Sequence, residues 1–266
     1  MKKVALIVGA SSGIGMHTAK LFAEKGYTVV NMARRNCEIE NVISIQLDVT
    51  DATSMERAWE QFTLLYNRLD IFIYSAGFSM ACPLEYVKES DYRYLFEVNF
   101  FGYLHLLKKC LPYLKKSNGV SCIVGSIGGV APIPYDCYYS ASKAAVNMLV
   151  MSLQYEFLPQ GVKVLCVMPG GTKTHFTFKR KEYDLSEVRE YKKDQERAAR
   201  ALEEIEQGGM KASKVAKTIY NRCTKISTAN LYASGIKNKL TSFLIRIIPQ
   251  RMLYLFIRSQ FELNGK

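Results

Sequence analysis

Val4–Val8, five consecutive apolar residues, run straight into Gly9-Ala10-Ser11-Ser12-Gly13-Ile14-Gly15, and the chain then takes up a helical pattern through Ala19, Phe22 and Ala23 that ends at Gly26. A short unbroken apolar run is what a strand buried on both faces requires. Glycines let the loop backbone approach an anion, and the helix that follows supplies unpaired N–H groups and positive potential at its N-terminus. Strand, glycine loop and helix together predict a dinucleotide cradle formed by Gly9, Ser11, Ser12, Gly13, Ile14 and Gly15. An ordinary glycine turn is the plainer alternative, but it does not require these flanks.

Residues 27–32 read as a second strand and complete a βαβ unit. At about 20 residues past the glycines, a carboxylate would grip the ribose 2′-hydroxyl of NAD, whereas arginine accommodates the 2′-phosphate of NADP. This chain has Arg34-Arg35 there and no carboxylate before Glu38. NADP(H) is therefore the expected cofactor, with simple surface arginines as the alternative. The alternation continues with strands at 42–47, Ile71–Tyr74, Val120–Val124 and 162–167, helices at 53–67 and 90–114, and a helix carrying Tyr139 to about residue 158. This pattern predicts the α/β class: a single doubly wound Rossmann-type domain over 1–266, its parallel sheet covered by helices on both faces. At 266 residues, 48% of them hydrophobic, the chain can bury one sizeable core of this kind. Right-handed crossovers put the strand C-termini along one edge, where ligands bind. Gly9, Asp48, Gly77, Ser126 and Pro169 fall at such ends.

Of the 17 tyrosines, only Tyr139 has a lysine four residues later, Lys143. On a helix these positions share a face, so the ammonium can approach the phenol. A nearby cation lowers the phenol pKa from its usual value of about 10, and such a tyrosine exchanges a proton nearer neutral pH. Chance pairing of two abundant residue types is the alternative. Ser126 lies thirteen residues upstream of Tyr139.

Gly9-x-x-x-Gly13-x-Gly15, Leu47-Asp48-Val49, Ser75-Ala76-Gly77, Val98-Asn99, Ser126, Tyr139-x-x-x-Lys143 and Pro169-Gly170 together resemble, in order and spacing, the short-chain dehydrogenase/reductase family, from Lys3 to about Ser234. The resemblance implies a catalytic tetrad of Asn99, Ser126, Tyr139 and Lys143. Ser126 would hydrogen-bond the substrate oxygen and stabilise charge developing on it. Tyr139 would move a proton to or from that oxygen while hydride passes between the nicotinamide and the substrate carbon. Lys143 would bind the nicotinamide ribose and tune Tyr139, and the backbone at Asn99 would hold a water linking Lys143 to solvent. The resemblance also implies cofactor contacts at Asp48, Val49, Ala76, Gly77, Pro169, Gly170, Thr172 and Thr174. Asp48 and Thr174 have local capping as an alternative, and Asn99 a kinked mid-helix position. Two departures stand out: Val8 where the family usually has Thr, and Tyr74-Ser75 where it has Asn-Asn. Altered cofactor affinity, not lost chemistry, is expected from them. Tyr138, a rival phenol, has no lysine at i+4.

After Thr174 the chain is strongly charged to about Gly209, with Lys179-Arg180-Lys181 and Lys192-Lys193. The resemblance makes 171–210 a substrate lid, while a solvated helix face is the simpler reading of the charge. Residues 210–225 read as a helix and 230–233 as a last strand. In 236–266, Leu240, Phe243, Leu244, Ile247 and Ile248 recur at helical spacing, Pro249 interrupts them, and Met252, Leu253, Leu255, Phe256 and Ile257 follow. Six basic residues against one acid, Glu262, make this extension basic and amphipathic, suited to an anionic membrane surface or to walling an apolar substrate pocket. Core packing or a dimer contact is the alternative.

The net charge of +12 comes without an aromatic–basic platform or basic helix motif, so no nucleic-acid partner is expected. Seven cysteines without C-x-x-C and three scattered histidines predict neither a metal site nor a disulfide framework. The apolar run after Met1-Lys2-Lys3 is too short for a signal peptide, and no spanning segment occurs. A cytoplasmic protein with peripheral membrane contact through its tail is expected, and family habit implies a homodimer or homotetramer. The expected function is NADP(H)-dependent interconversion of a secondary alcohol and ketone on an apolar, steroid-like molecule. Gly125-Ser126-Ile127-Gly128-Gly129 and the tail resemble the hydroxysteroid and retinol dehydrogenase branch, and Phe78, Met80, Phe176 and Phe178 point to low polarity. A retinoid, fatty or small carbonyl substrate, or a non-enzymatic dinucleotide sensor, is the alternative.

Overall fold

Seven parallel strands in the order β3-β2-β1-β4-β5-β6-β9 form the centre of the computed structural model, which describes residues 2–174, 176, 180–181, 183, 189–225 and 229–263. In chain order the elements are β1 (Val4–Val8), α1 (Gly13–Glu24), β2 (Thr28–Ala33), β3 (Val42–Gln46), α2 (Ala52–Leu65) and β4 (Ile71–Tyr74). Next come α3 (Glu89–Phe96), α4 (Gly102–Ser117), β5 (Val120–Val124), α5 (Cys137–Phe157), β6 (Lys163–Met168) and β7 (Thr172–Lys173). The chain then continues through α6 (Arg189–Gln207), β8 (Met210–Lys211), α7 (Ala212–Thr224), β9 (Leu231–Ala233), α8 (Ile236–Leu244) and α9 (Gln250–Gln260).

Strands β1 and β4 are buried along their whole length, as an unbroken apolar run at the middle of a two-sided sheet demands. Their side chains alternate between two cores. Leu6, Phe72 and Ile123 pack on one face with Phe62 of α2 and Leu106 of α4. Ala5, Ile7, Ile73 and Leu165 pack on the other with Phe22 of α1 and Ile219 of α7. The strand order turns back between β1 and β4, which opens a crevice at the strand C-termini where a ligand fits.

Two stretches differ from the sequence reading. The helix expected over 90–114 is interrupted by a π turn at Glu97–Phe101, where the Tyr74 hydroxyl donates to the Val98 carbonyl at 2.5 Å. The helix expected over 210–225 begins only at Ala212, because Met210 and Lys211 form β8 and pair in parallel with Thr172 and Lys173. Met210 N donates to Gly171 O at 3.0 Å, closing the 171–210 stretch at its base.

Candidate active site

The crevice is a cleft of about 1850 Å³ that runs from the glycine loop past α5 to the C-terminal helices. At its first end Gly9 holds φ +85° and donates its N–H to Met32 O at 2.9 Å. Asn31, buried in β2, accepts from Ala10 N at 3.0 Å and so ties the loop to the sheet. No spacing rule marks this asparagine in the sequence. Ser11, Ser12, Gly13 and Ile14 line the cleft, whereas Gly15 lies beneath the loop. A Cβ at Gly15 would run into the Gly9 carbonyl, so only glycine lets α1 start this close to β1.

Arg34 and Arg35, just past β2, line the same end, and Arg34 Nη1 donates to the Tyr94 hydroxyl at 3.5 Å. Asp48 and Val49 line it from β3, and Ala76 and Gly77 from β4. Asp48 Oδ1 accepts from Thr50 N at 2.9 Å and Thr50 Oγ1 at 2.8 Å, so the capping role is real and leaves Oδ2 for a ligand. Pro169, Gly170, Thr172 and Thr174 close the opposite wall. Thr174 sits against Gly13, and its Oγ1 accepts from Phe176 N at 3.2 Å. A cradle too tight for a side chain, facing the N-terminus of α1, fits a dinucleotide cofactor.

At the reacting end, Ser126 follows β5 and its Oγ accepts from Gly128 N at 3.0 Å. Tyr139 occupies the first turn of α5 and Lys143 the next, with Nζ 5.7 Å from the tyrosine ring centroid. Lys143 Nζ donates to the Val124 carbonyl at 3.0 Å. Burial pushes the Lys143 ammonium down to about 8. It pushes the Tyr139 phenol up; the Ser126 hydroxyl works the other way, while Asp136 and Glu206 add to the rise. The phenol therefore shifts opposite to the lowering expected from a neighbouring cation. Both groups lose water together, and the lysine is turned to a carbonyl.

Asn99 does not line the cleft. It is buried in the π turn, where Nδ2 donates to Phe78 O at 3.0 Å and Ser142 Oγ at 3.1 Å, and Oδ1 accepts from Phe78 N at 3.1 Å. It thus ties the segment after β4 to the helix that carries Tyr139. Tyr138 stacks on Tyr92 at 4.8 Å and stays outside the cleft.

A polar group beside Tyr139 has no counterpart among the residues picked out from the sequence. Asp136, the residue before α5, lines the cleft and is 1% exposed. Its Oδ1 accepts from Met80 N at 3.2 Å, while Oδ2 is buried without a hydrogen-bond partner among the described residues. Arg180 Nε donates to Ser79 Oγ at 3.2 Å, and its Nη2 meets the Glu206 carboxylate at 3.1 and 3.2 Å. The only sequence signal was an aspartate directly ahead of the Tyr139 helix. Around this group the wall is apolar: Phe78, Ile133 and Phe176 line the cleft, and Met80 is buried behind them. Phe178 lies outside the described residues. The tail completes the wall. Ile257 and Phe261 are buried against Ala198 and Leu202 of α6, and Leu253, Thr241 and Ile245 line the cleft.

The short chain dehydrogenase family model matches residues 3–184. A 3-ketodihydrosphingosine reductase of Bacteroides thetaiotaomicron is 36% identical over 220 residues, 82% of this chain and 82% of that protein. An 11-beta-hydroxysteroid dehydrogenase A of Sesamum indicum is 31% identical over 188 residues, 66% of this chain and 54% of that protein. The solved structure of ElxO with NADP bound superposes with a TM-score of 0.72 at 27% identity, covering 88% of this chain and 97% of the other.

Proposed function

Because the chain belongs to the short-chain dehydrogenase family, and is therefore an NAD(P)-using oxidoreductase, we propose that it is an NADP(H)-dependent reductase of an apolar ketone. The observation that carries this reading is a single cleft with Arg34 and Arg35 beside the glycine cradle at one end and Ser126, Tyr139 and Lys143 at the other. A lipid-like ketone ranks ahead of a steroid-like one. The reductase named for 3-ketodihydrosphingosine aligns with 82% of this chain, and the hydroxysteroid enzyme with 66%.

Bound nicotinamide supplies the hydride. Ser126 and Tyr139 hold the ketone oxygen, and Tyr139 gives it the proton. A phenol pushed up by burial keeps its proton at neutral pH, which suits the reducing direction. Lys143, one turn along α5 and titrating near 8, replaces that proton and reaches toward the nicotinamide ribose. Asn99 fixes the Phe78 backbone against Ser142, so α5 and the segment after β4 move as one piece. Within the 171–210 stretch, α6 acts as the lid over the apolar end, and part of that stretch lies outside the described residues. The outward faces of α8 and α9 rest on an anionic bilayer, from which an apolar substrate reaches the cleft. The assembly is a homodimer or homotetramer through the helical stretch 90–114 and α5, where Phe101 of the π turn and Met148 and Tyr155 of α5 are exposed.

The test is steady-state oxidation of NADPH and NADH with a long-chain ketone and a steroid ketone. Wild type is expected to prefer NADPH, and Arg34→Asp to reduce that preference about tenfold or more, the order of one charged hydrogen bond. No preference in wild type, or an unchanged ratio in the variant, overturns the cofactor assignment.

A further inference from the structure

We propose that Asp136 receives a protonated amine carried by the substrate within one or two carbons of its carbonyl, which makes the substrate class an amino ketone. This rests on the ketone-reductase reading above and deepens it by naming a group on the substrate.

Asp136 precedes the first residue of α5, where an aspartate ordinarily caps the helix, yet its side chain makes no cap hydrogen bond. Oδ1 holds Met80 N and the Ser79 hydroxyl also favours the carboxylate, but Oδ2 is buried without a hydrogen-bond partner among the described residues. A carboxylate in that position is costly, and buried polar groups left unpaired are rare.

The local charges do not balance it. Arg180 acts favourably on Asp136, but its guanidinium is already engaged by Glu206 and by Ser79. One positive charge therefore faces two carboxylates, and Glu206 itself opposes ionisation of Asp136. Lys181 is paired with Asp91, and Lys143 is turned to the Val124 carbonyl. An incoming cation would restore the balance and let Asp136 ionise fully.

Position then fixes where on the substrate that cation must lie. Asp136 and Tyr139 both line the cleft and are three residues apart at the start of α5. As the N-cap and the third residue of α5 they stand at the same end of the helix, one turn or about 5 Å apart along its axis. A carbonyl oxygen held by Tyr139 therefore leaves room for an amine on the adjacent carbon, or the one after it, to meet Asp136. The rest of the wall, Phe78, Ile133 and Phe176, takes the hydrocarbon. A neutral polycyclic ketone has no group for this carboxylate.

The experiment compares a long-chain 2-amino-3-ketone with the 3-ketone of the same length lacking the amine, using the full chain and NADPH. Wild type is expected to favour the amino ketone in kcat/KM by about tenfold or more, the order of one charge-assisted hydrogen bond. Asp136→Asn should lower kcat/KM for the amino ketone at least tenfold more than for the des-amino ketone, mainly through KM. Equal turnover of both ketones by wild type overturns the proposal, as does an equal loss on both in the variant. Should Asp136→Asn fail to fold, the wild-type comparison decides alone. Reduction of neither ketone would instead sink the reductase reading itself, so the two failures are distinguishable.

Discussion

At the scale of single residues, burial decides the chemistry of the site more than neighbouring charge does. Asp136 shows this most clearly. Its carboxyl is pushed up to about 7 by burial, which outweighs the Met80 N–H, Arg180 and the Ser79 hydroxyl, with Glu206 adding to the rise. The folded state therefore holds this proton more tightly than the unfolded chain does. The stability tied to it is complete below the ordinary carboxylate range, near pH 4, and is lost as pH climbs through about 7. An asparagine carries no such penalty at any pH. The melting temperature of Asp136→Asn relative to wild type should thus rise from pH 5 to pH 8, by about 2–4 °C for each kcal/mol recovered. Parallel melting curves across that range would show that the carboxyl is not strained. That Ser126, Tyr139 and Lys143 would share one end of the cleft was legible in the sequence, because one helix spacing and one strand end place them there. Asp136, Arg180, Glu206 and Ser79 meet from four separate segments, and no local pattern records that meeting.

At the scale of elements, the alternation of strands and helices was legible nearly to the residue, because it follows from apolar periodicity. A kink at Asn99 was open in the sequence, but the π turn that makes it was not legible, since it depends on a contact across 24 residues of sequence. In that turn the Val98 carbonyl takes the buried Tyr74 hydroxyl, whose pKa burial drives upward so that it stays a donor. Gly102 leaves the space: a Cβ there would lie 2.5 Å from the Tyr74 oxygen. The Tyr74 departure noted in the sequence is therefore a support for the turn that holds Asn99. Tyr74→Phe should leave a buried carbonyl without its donor, at about 1–3 kcal/mol, lowering the melting temperature. If the turn positions Asn99, kcat should also fall while the NADPH dissociation constant changes little. A lowered melting temperature with kcat intact would mean that Tyr74 serves stability alone. The pairing of β7 with β8 escaped the sequence for the same reason, two residues being too few to show a period.

At the scale of the whole molecule, the tail has two different faces. Thr241 and Ile245 line the cleft, and Ile257 and Phe261 are buried on α6. Leu240, Phe243, Leu244 and Ile247, at i, i+3, i+4 and i+7, are exposed, Phe243 and Ile247 by 61% and 62%. Met252 and Leu255 are likewise exposed on α9, and Lys237, Lys239, Arg246, Arg251 and Arg258 lie among them. No helix among the described residues is long and apolar enough to cross a membrane. An apolar stripe with basic neighbours is suited instead to the headgroup boundary of an anionic bilayer, where each basic side chain near the surface contributes about 1 kcal/mol. The sequence showed this stripe but not which face was spare, because that depends on the cleft and α6 having claimed the other faces. The chain is expected to sediment with vesicles containing phosphatidylglycerol, weakly with phosphatidylcholine alone, and less as salt rises. The double variant Phe243→Ser, Ile247→Ser should lose most of that binding with little change in melting temperature, since both positions are exposed. A wild type that ignores anionic vesicles, but dimerises through this face and becomes monomeric in the double variant, would assign the stripe to a second copy of the chain.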